Sequence, residues 1–135
     1  MIFGIGTDIC QIARIGQSAE RTGLRFVEKV LGPEELEQYR LRGERSPERA
    51  VRYLATRWAA KEALGKALGT GVVPPMTLAS AQVLNDAAGK PAFVFSGALA
   101  GHMRQQRLSA QVTVSDEADY AVAFVIVEQS QQETL

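Results

Sequence analysis

Apolar positions set a helical rhythm through much of the first half of the chain. Ile12, Ile15 and Ala19 recur at three- and four-residue spacing and predict a short amphipathic helix, and Phe26, Val27, Val30 and Leu31 carry the spacing on to Gly32-Pro33. Pro33 fits the first position of a further helix, with Glu34 and Glu35 near the positive end of its dipole and Leu36 and Tyr39 on its buried side. Gly43 to Glu48 reads as a loop. From about Pro47 to Leu68 the pattern predicts one long helix, the spine of the domain.

Elsewhere the period falls to two. At the start, Phe3, Ile5, Thr7 and Ile9 share one face of a strand, and Gly4, Gly6 and Asp8 share the other. Beyond Gly71, Val72-Val73-Pro74-Pro75 excludes helix, Ala81 to Leu84 reads as extended, Asn85 to Pro91 as a turn, and Phe93 and Phe95 alternate in a further strand. Ala98 to Arg107 predicts a helix, and Val112 and Val114 alternate into a hairpin connection from Ser115 to Asp119. Tyr120 to Val127 is a nearly continuous run of β-formers, as in a central strand buried on both faces. This interleaving predicts an α+β fold, a single domain with a mainly antiparallel sheet wrapped around a long central helix. The domain is expected over residues 1–128, and the polar tail over 129–135 is expected to fray.

Composition restricts the partners more than the fold. A chain of 135 residues, 46% hydrophobic and 22% charged, has enough apolar material for one core and excludes a disordered polyelectrolyte. Fifteen basic and fifteen acidic residues cancel, so no global field draws nucleic acid or an anionic membrane, and an acidic partner must meet a local patch. Arg14, Arg21, Arg25 and Lys29, close together in one helical region, supply either such a patch or an ordinary hydrated surface. One cysteine excludes an internal disulfide, and no charged start followed by a long apolar run marks a signal peptide or membrane span. The cytoplasm is the expected compartment.

Two segments carry candidate chemistry. In Arg57-Trp58-Ala59-Ala60-Lys61-Glu62-Ala63-Leu64-Gly65-Lys66, Glu62 and Lys66 fall about 40° apart around the helix, with Ala55, Ala59 and Gly69 on the same side. Ala60, Leu64, Ala67 and Leu68 lie opposite, so the charged side has only small neighbours and room for a bulky anion. The same pair is equally a surface ion pair, and Gly69-Thr70-Gly71 is either a phosphate cradle of backbone N–H groups or a helix C-cap. At the amino end Asp8 shares a face with two glycines, which admit close approach of another backbone or a ligand; alternatively Asp8 caps the helix that begins near Gln11.

Together, GIGTDI at the amino end and RWAAKEALGKALGTG in the middle resemble the two signatures of holo-acyl-carrier-protein synthases, the small 4′-phosphopantetheinyl transferases. Asn85-Asp86 with Gly89-Lys90-Pro91 resembles the family's turn, and Ala121 to Ile126 its closing strand, so the likeness spans Met1 to about Glu128. Departures are Asp116 where many members have histidine, Trp58 where Phe is commoner, and Cys10 where Val is commoner.

The resemblance implies a 4′-phosphopantetheinyl transferase-like fold and an enzyme of fatty acid biosynthesis. The expected reaction moves the phosphopantetheine arm of coenzyme A to a serine of acyl carrier protein and releases 3′,5′-ADP. Asp8 and Glu62 are the expected Mg²⁺ ligands, since that ion takes one or two carboxylates plus phosphate oxygens. Glu62 is expected to accept the serine proton, directly or through a metal-bound water, and Lys66 to contact the pyrophosphate and stabilise the transition state. Asp8, Glu62 and Lys66 are thus the catalytic set. Coenzyme binding is expected from Lys66, Gly69, Thr70 and Gly71, with Arg57, Lys61 and Arg49 reaching a pocket between protomers of a homotrimer. Arg14, Arg25 and Arg21 are the expected docking residues for the acidic carrier protein. A non-catalytic module that binds coenzyme A or the carrier protein is the alternative; a purely structural assembly protein is a third reading.

Overall fold

The computed structural model describes residues 1–131. Strand β1 (Ile2–Gln11) runs directly into helix α1 (Ile12–Thr22), and Gly23, at φ 62°, turns the chain into α2 (Leu24–Val30). Helices α3 (Pro33–Arg45) and α4 (Pro47–Leu68) follow, separated only by Ser46. Gly43 to Glu48 is therefore not a loop, contrary to the pattern. Pro47 sits where a helix needs no N–H, Ser46 Oγ accepts from the Arg49 amide at 3.4 Å, and one extended residue suffices to turn the chain.

Beyond α4 come β2 (Ala81–Asn85), β3 (Pro91–Phe95), α5 (Gly97–Gln105), β4 (Leu108–Glu117) and β5 (Tyr120–Gln129). Ser115, Asp116 and Glu117 belong to β4 and leave only Ala118 and Asp119 for the turn, a correction to the longer connection expected. Cross-strand pairing of Ser115, Asp116 and Glu117 with Val122, Ala121 and Tyr120 orders polar residues that side-chain alternation does not mark as strand. Likewise Gln129 still belongs to β5, its N–H donating to the Met1 carbonyl at 2.8 Å, and Ser130 N–H bonds the Arg107 carbonyl at 3.0 Å. The expected tail from residue 129 thus starts later, and Gln132 to Leu135 lie outside the described residues.

All pairing is antiparallel, in one sheet of order β1-β5-β4 and a second of β2-β3. The larger sheet covers α4. Central strand β5 is buried on one face only: Ala121, Ala123, Val125 and Val127 enter the core, whereas Val122 and Phe124 are 39% and 40% exposed. The expectation of burial on both faces fails because no element among the described residues covers the outer face, where Ile5 opposes Ile126 and Ile9 opposes Val122.

On the inner face, β1 lies directly on α4. A Cβ at Gly4 would sit 1.9 Å from the Ala67 carbonyl oxygen, and one at Gly6 2.0 Å from that of Ala63. The strand glycines therefore admit another backbone, not a ligand. Of the small residues on the Glu62 side, Ala55 and Ala59 are fully buried and fit α4 into the core, whereas Gly69 is exposed at its end. The two alanines make a close packing surface and not the space for a bulky anion that the helical wheel suggested.

Candidate active site

Because successive strand residues alternate faces, Asp8 follows Gly6 onto the side of β1 that meets α4. There Lys66 Nζ donates to Asp8 Oδ1 at 3.2 Å and to the Thr7 carbonyl at 2.9 Å. Asp8 does not cap α1; that position is Gln11, with no side-chain cap. Glu62 stands one turn before Lys66 on α4 and is close enough to Asp8 for their charges to interact. Its carboxyl is held above the usual carboxylate range, first by burial and then by Asp8, with Lys66 pulling it back. Glu62 in the folded protein therefore retains its proton to higher pH than in the unfolded chain, and stability falls as pH rises through that window. NMR titration of the Glu62 carboxyl should move down in Asp8→Asn and up in Lys66→Gln; an unchanged value in both would show that the three groups do not share a site.

Two carboxylates close enough to interact, with one ammonium bonded to Asp8, leave net negative charge. A divalent cation would relieve it. Two carboxylates without an imidazole are donors that suit Mg²⁺, which keeps several waters, better than zinc. Cys10 lies near Asp8 on the same strand. Burial and the Asp8 charge push its thiol up to about 11, and Sγ donates to the Ala55 carbonyl at 3.5 Å.

The Gly-Thr-Gly turn differs from the expected cradle. Gly69 and Gly71 have φ of 84° and 71°, which favour glycine, and a Cβ on either meets nothing within 4 Å. Their amides donate to the carbonyls of Lys66 and Gly65 at 3.1 and 3.0 Å. Those two N–H groups close the helix and are not free for phosphate. Thr70 is exposed, its hydroxyl donating to the Gly71 carbonyl at 3.1 Å.

Lys61 is also corrected. It is fully buried, its Nζ held by Glu35 Oε1 and the Val30 carbonyl at 2.5 Å each, so it cannot meet a coenzyme. Arg57 is 5% exposed and donates to the Val83 carbonyl, Thr56 Oγ1 and Asn85 Oδ1, each at 3.2 Å. It remains part of a basic wall. Arg42 and Arg57 stack on the Tyr53 ring at 4.4 and 4.3 Å from its centroid, and both line a pocket of about 250 Å³ with Arg49, Arg52 and Asp116. The Tyr53 hydroxyl is pushed up to about 12 by burial; nearby Arg57 opposes this, yet its N–H groups point at the acceptors just named. Sequence reading missed Arg42, Arg52 and Tyr53, because the pocket unites α3, α4 and β4. The signal available was only the density of arginines between Arg40 and Arg57.

Asp8 and Glu62 open onto a cleft of about 750 Å³ whose lining includes Arg14 and Arg21 from α1 and the aromatic pair Phe26 and Trp58, with ring centroids 5.6 Å apart. Arg25 is exposed at the start of α2, outside that lining. The structure thus brings the acid pair and two of the three expected docking arginines to one cleft.

The 4′-phosphopantetheinyl transferase superfamily profile matches residues 4–125. A holo-[acyl-carrier-protein] synthase of Herminiimonas arsenicoxydans is 56% identical over 128 residues, covering 95% of this chain and 98% of that protein. The crystal structure of the Neisseria meningitidis holo-[acyl-carrier-protein] synthase superposes with a TM-score of 0.87 at 38% identity, over 96% of this chain and all of that one. The corresponding Bacillus anthracis enzyme, in complex with CoA (3′,5′-ADP), gives 0.79 at 31% identity over 96% and 99% of the two chains. The chain belongs to the 4′-phosphopantetheinyl transferase superfamily.

Proposed function

We propose that the protein transfers the 4′-phosphopantetheine arm of coenzyme A to a serine hydroxyl of acyl carrier protein, releasing 3′,5′-ADP. The observation that carries this reading is the meeting of Asp8, Glu62 and Lys66 at one end of a cleft walled by Arg14 and Arg21. The Herminiimonas relative named above and the coenzyme-bound Bacillus neighbour support it.

In the reaction the serine oxygen forms a bond to phosphorus as the bond to the departing 3′,5′-ADP breaks. The serine proton goes to Glu62, directly or through water, since its raised carboxyl pKa makes it a better base than an ordinary carboxylate. Lys66 is 55% exposed and free to swing from Asp8 toward the diphosphate, where its charge offsets that of the leaving group. Asp8 and Glu62 would hold Mg²⁺, whose charge would offset the negative charge that develops on the 5′-phosphate of the departing 3′,5′-ADP as the diphosphate is split. Arg14, Arg21 and Arg25 attract the acidic carrier protein and chiefly raise its association rate at low salt.

The basic pocket containing Arg49 and Arg57 is the proposed seat of the coenzyme's 3′-phosphate. Arg57 stands five residues before Glu62, about 140° around α4, and donates to Val83 and Asn85 of β2, whereas Glu62 interacts with Asp8 of β1. A coenzyme that bridges the acids of one chain and the arginines of a neighbour, as in a homotrimer, is the arrangement we propose. The uncovered apolar sheet face with Ile5, Ile9, Val122 and Phe124 is a surface for self-association.

Mixing the protein with apo acyl carrier protein, coenzyme A and Mg²⁺ should add one phosphopantetheine mass to the carrier, at a rate that falls as salt rises. Light scattering should give the mass of three chains. Coenzyme binding without any mass gain on several carriers would favour the non-catalytic module instead.

A further inference from the structure

The basic pocket holds one carboxylate that the transfer reaction does not use. Asp116 Oδ2 accepts from Arg52 Nη1 at 3.1 Å and so neutralises one of the four guanidiniums lining the pocket. Arg52 does not depend on that contact for its place. Its Nη2 donates to the Ala118 carbonyl at 2.7 Å and its Nε to Glu48 Oε1 at 3.3 Å, so two acceptors remain when Asp116 is neutral. Arg42, Arg49 and Arg57 pair with no carboxylate among the described residues: Arg42 bonds Gln38 and stacks on Tyr53, and Arg57 bonds the acceptors given above. The pocket is thus built for an anion, with a fixed negative charge inside it.

We propose that Asp116 is a specificity-determining residue that weakens the pocket's hold on a phosphomonoester, so that the enzyme discriminates only modestly between coenzyme A and 3′-dephospho-coenzyme A. The inference rests on the reading that this pocket seats the 3′-phosphate. Like charges a few ångströms apart repel. Asp116 is 39% exposed, so water and salt screen the repulsion to roughly a tenfold effect on binding. Because the carboxylate is not needed to hold Arg52, its neutralisation removes repulsion without removing a cation.

The test compares kcat/KM for coenzyme A and for 3′-dephospho-coenzyme A, with apo carrier protein and Mg²⁺, in the wild type, Asp116→Asn, Asp116→Ala and Arg49→Ala. Both Asp116 variants should raise the preference for coenzyme A about tenfold, through a lower KM, and Arg49→Ala should reduce it. General damage to the fold lowers both substrates together and leaves the ratio alone. An unchanged or lower ratio in both Asp116 variants overturns the proposal, as does an Arg49→Ala ratio equal to the wild type's. If no transfer occurs with either substrate, the reading of the reaction fails, and calorimetric titration with 3′,5′-ADP carries the test: Asp116→Asn should bind it about tenfold more tightly, and equal or weaker binding overturns the proposal.

Discussion

Replacing Glu62 by Gln should lower the rate of phosphopantetheine transfer by about 10²–10⁴-fold, with the circular dichroism spectrum and melting temperature close to those of the wild type. Glutamine keeps the size and one carbonyl oxygen but can neither accept the serine proton nor contribute negative charge to a cation. Glu62 is only partly buried and makes no hydrogen bond that holds the fold together among the described residues, so activity and stability separate at this position. Asp8→Asn should fall in the same range by a different route. Asparagine removes a metal ligand and leaves Lys66 bonded to the Thr7 carbonyl, still close to the site. Loss of less than tenfold in both variants would remove the acid pair from the chemistry.

The largest loss of stability is expected at Glu35, far in sequence from the acid pair. Its carboxylate is fully buried and accepts from Lys61 Nζ, from the Gly32 amide at 3.0 Å and from the Val83 amide at 2.8 Å, tying α3 to α4 and β2. Glu35→Ala strands the buried Lys61 ammonium with only the Val30 carbonyl and orphans two amides, a loss of about 3–5 kcal/mol. Burial already pushes the Lys61 pKa down, with Glu35 pulling it back up, so the ammonium depends on that partner. Lys61→Met should cost less, since Glu35 retains two backbone donors and methionine fills much of the volume. Its KM for coenzyme A should stay at the wild-type value. Denaturant unfolding ranks the two variants, and a milder effect for Glu35→Ala than for Lys61→Met would contradict the assignment.

These residues also show how far a sequence carries such an argument. The span of α4 and the placement of Glu62 and Lys66 on one side follow from spacing alone, because helical geometry is local. What covers each side is not local. Lys61 is one residue from Glu62, yet its partner comes from α3, 26 residues earlier, and nothing in the helical wheel distinguishes a buried ion pair from a coenzyme ligand. Gly4 and Gly6 correctly signalled a close approach, but only the register of β1 on α4 shows that the approaching group is a helix backbone. Tyr120 to Val127 looked buried throughout because apolar residues fill both of its faces. A single chain covers only one of them.

The account stands on Asp8 and Glu62 sharing one ion. The most direct measurement is anomalous diffraction from crystals soaked with coenzyme A and Mn²⁺ in place of Mg²⁺. The prediction is a single peak within about 2.0–2.2 Å of an oxygen from each carboxylate and of a coenzyme phosphate oxygen. A peak bound to only one of the two acids, or lying away from both, would contradict it.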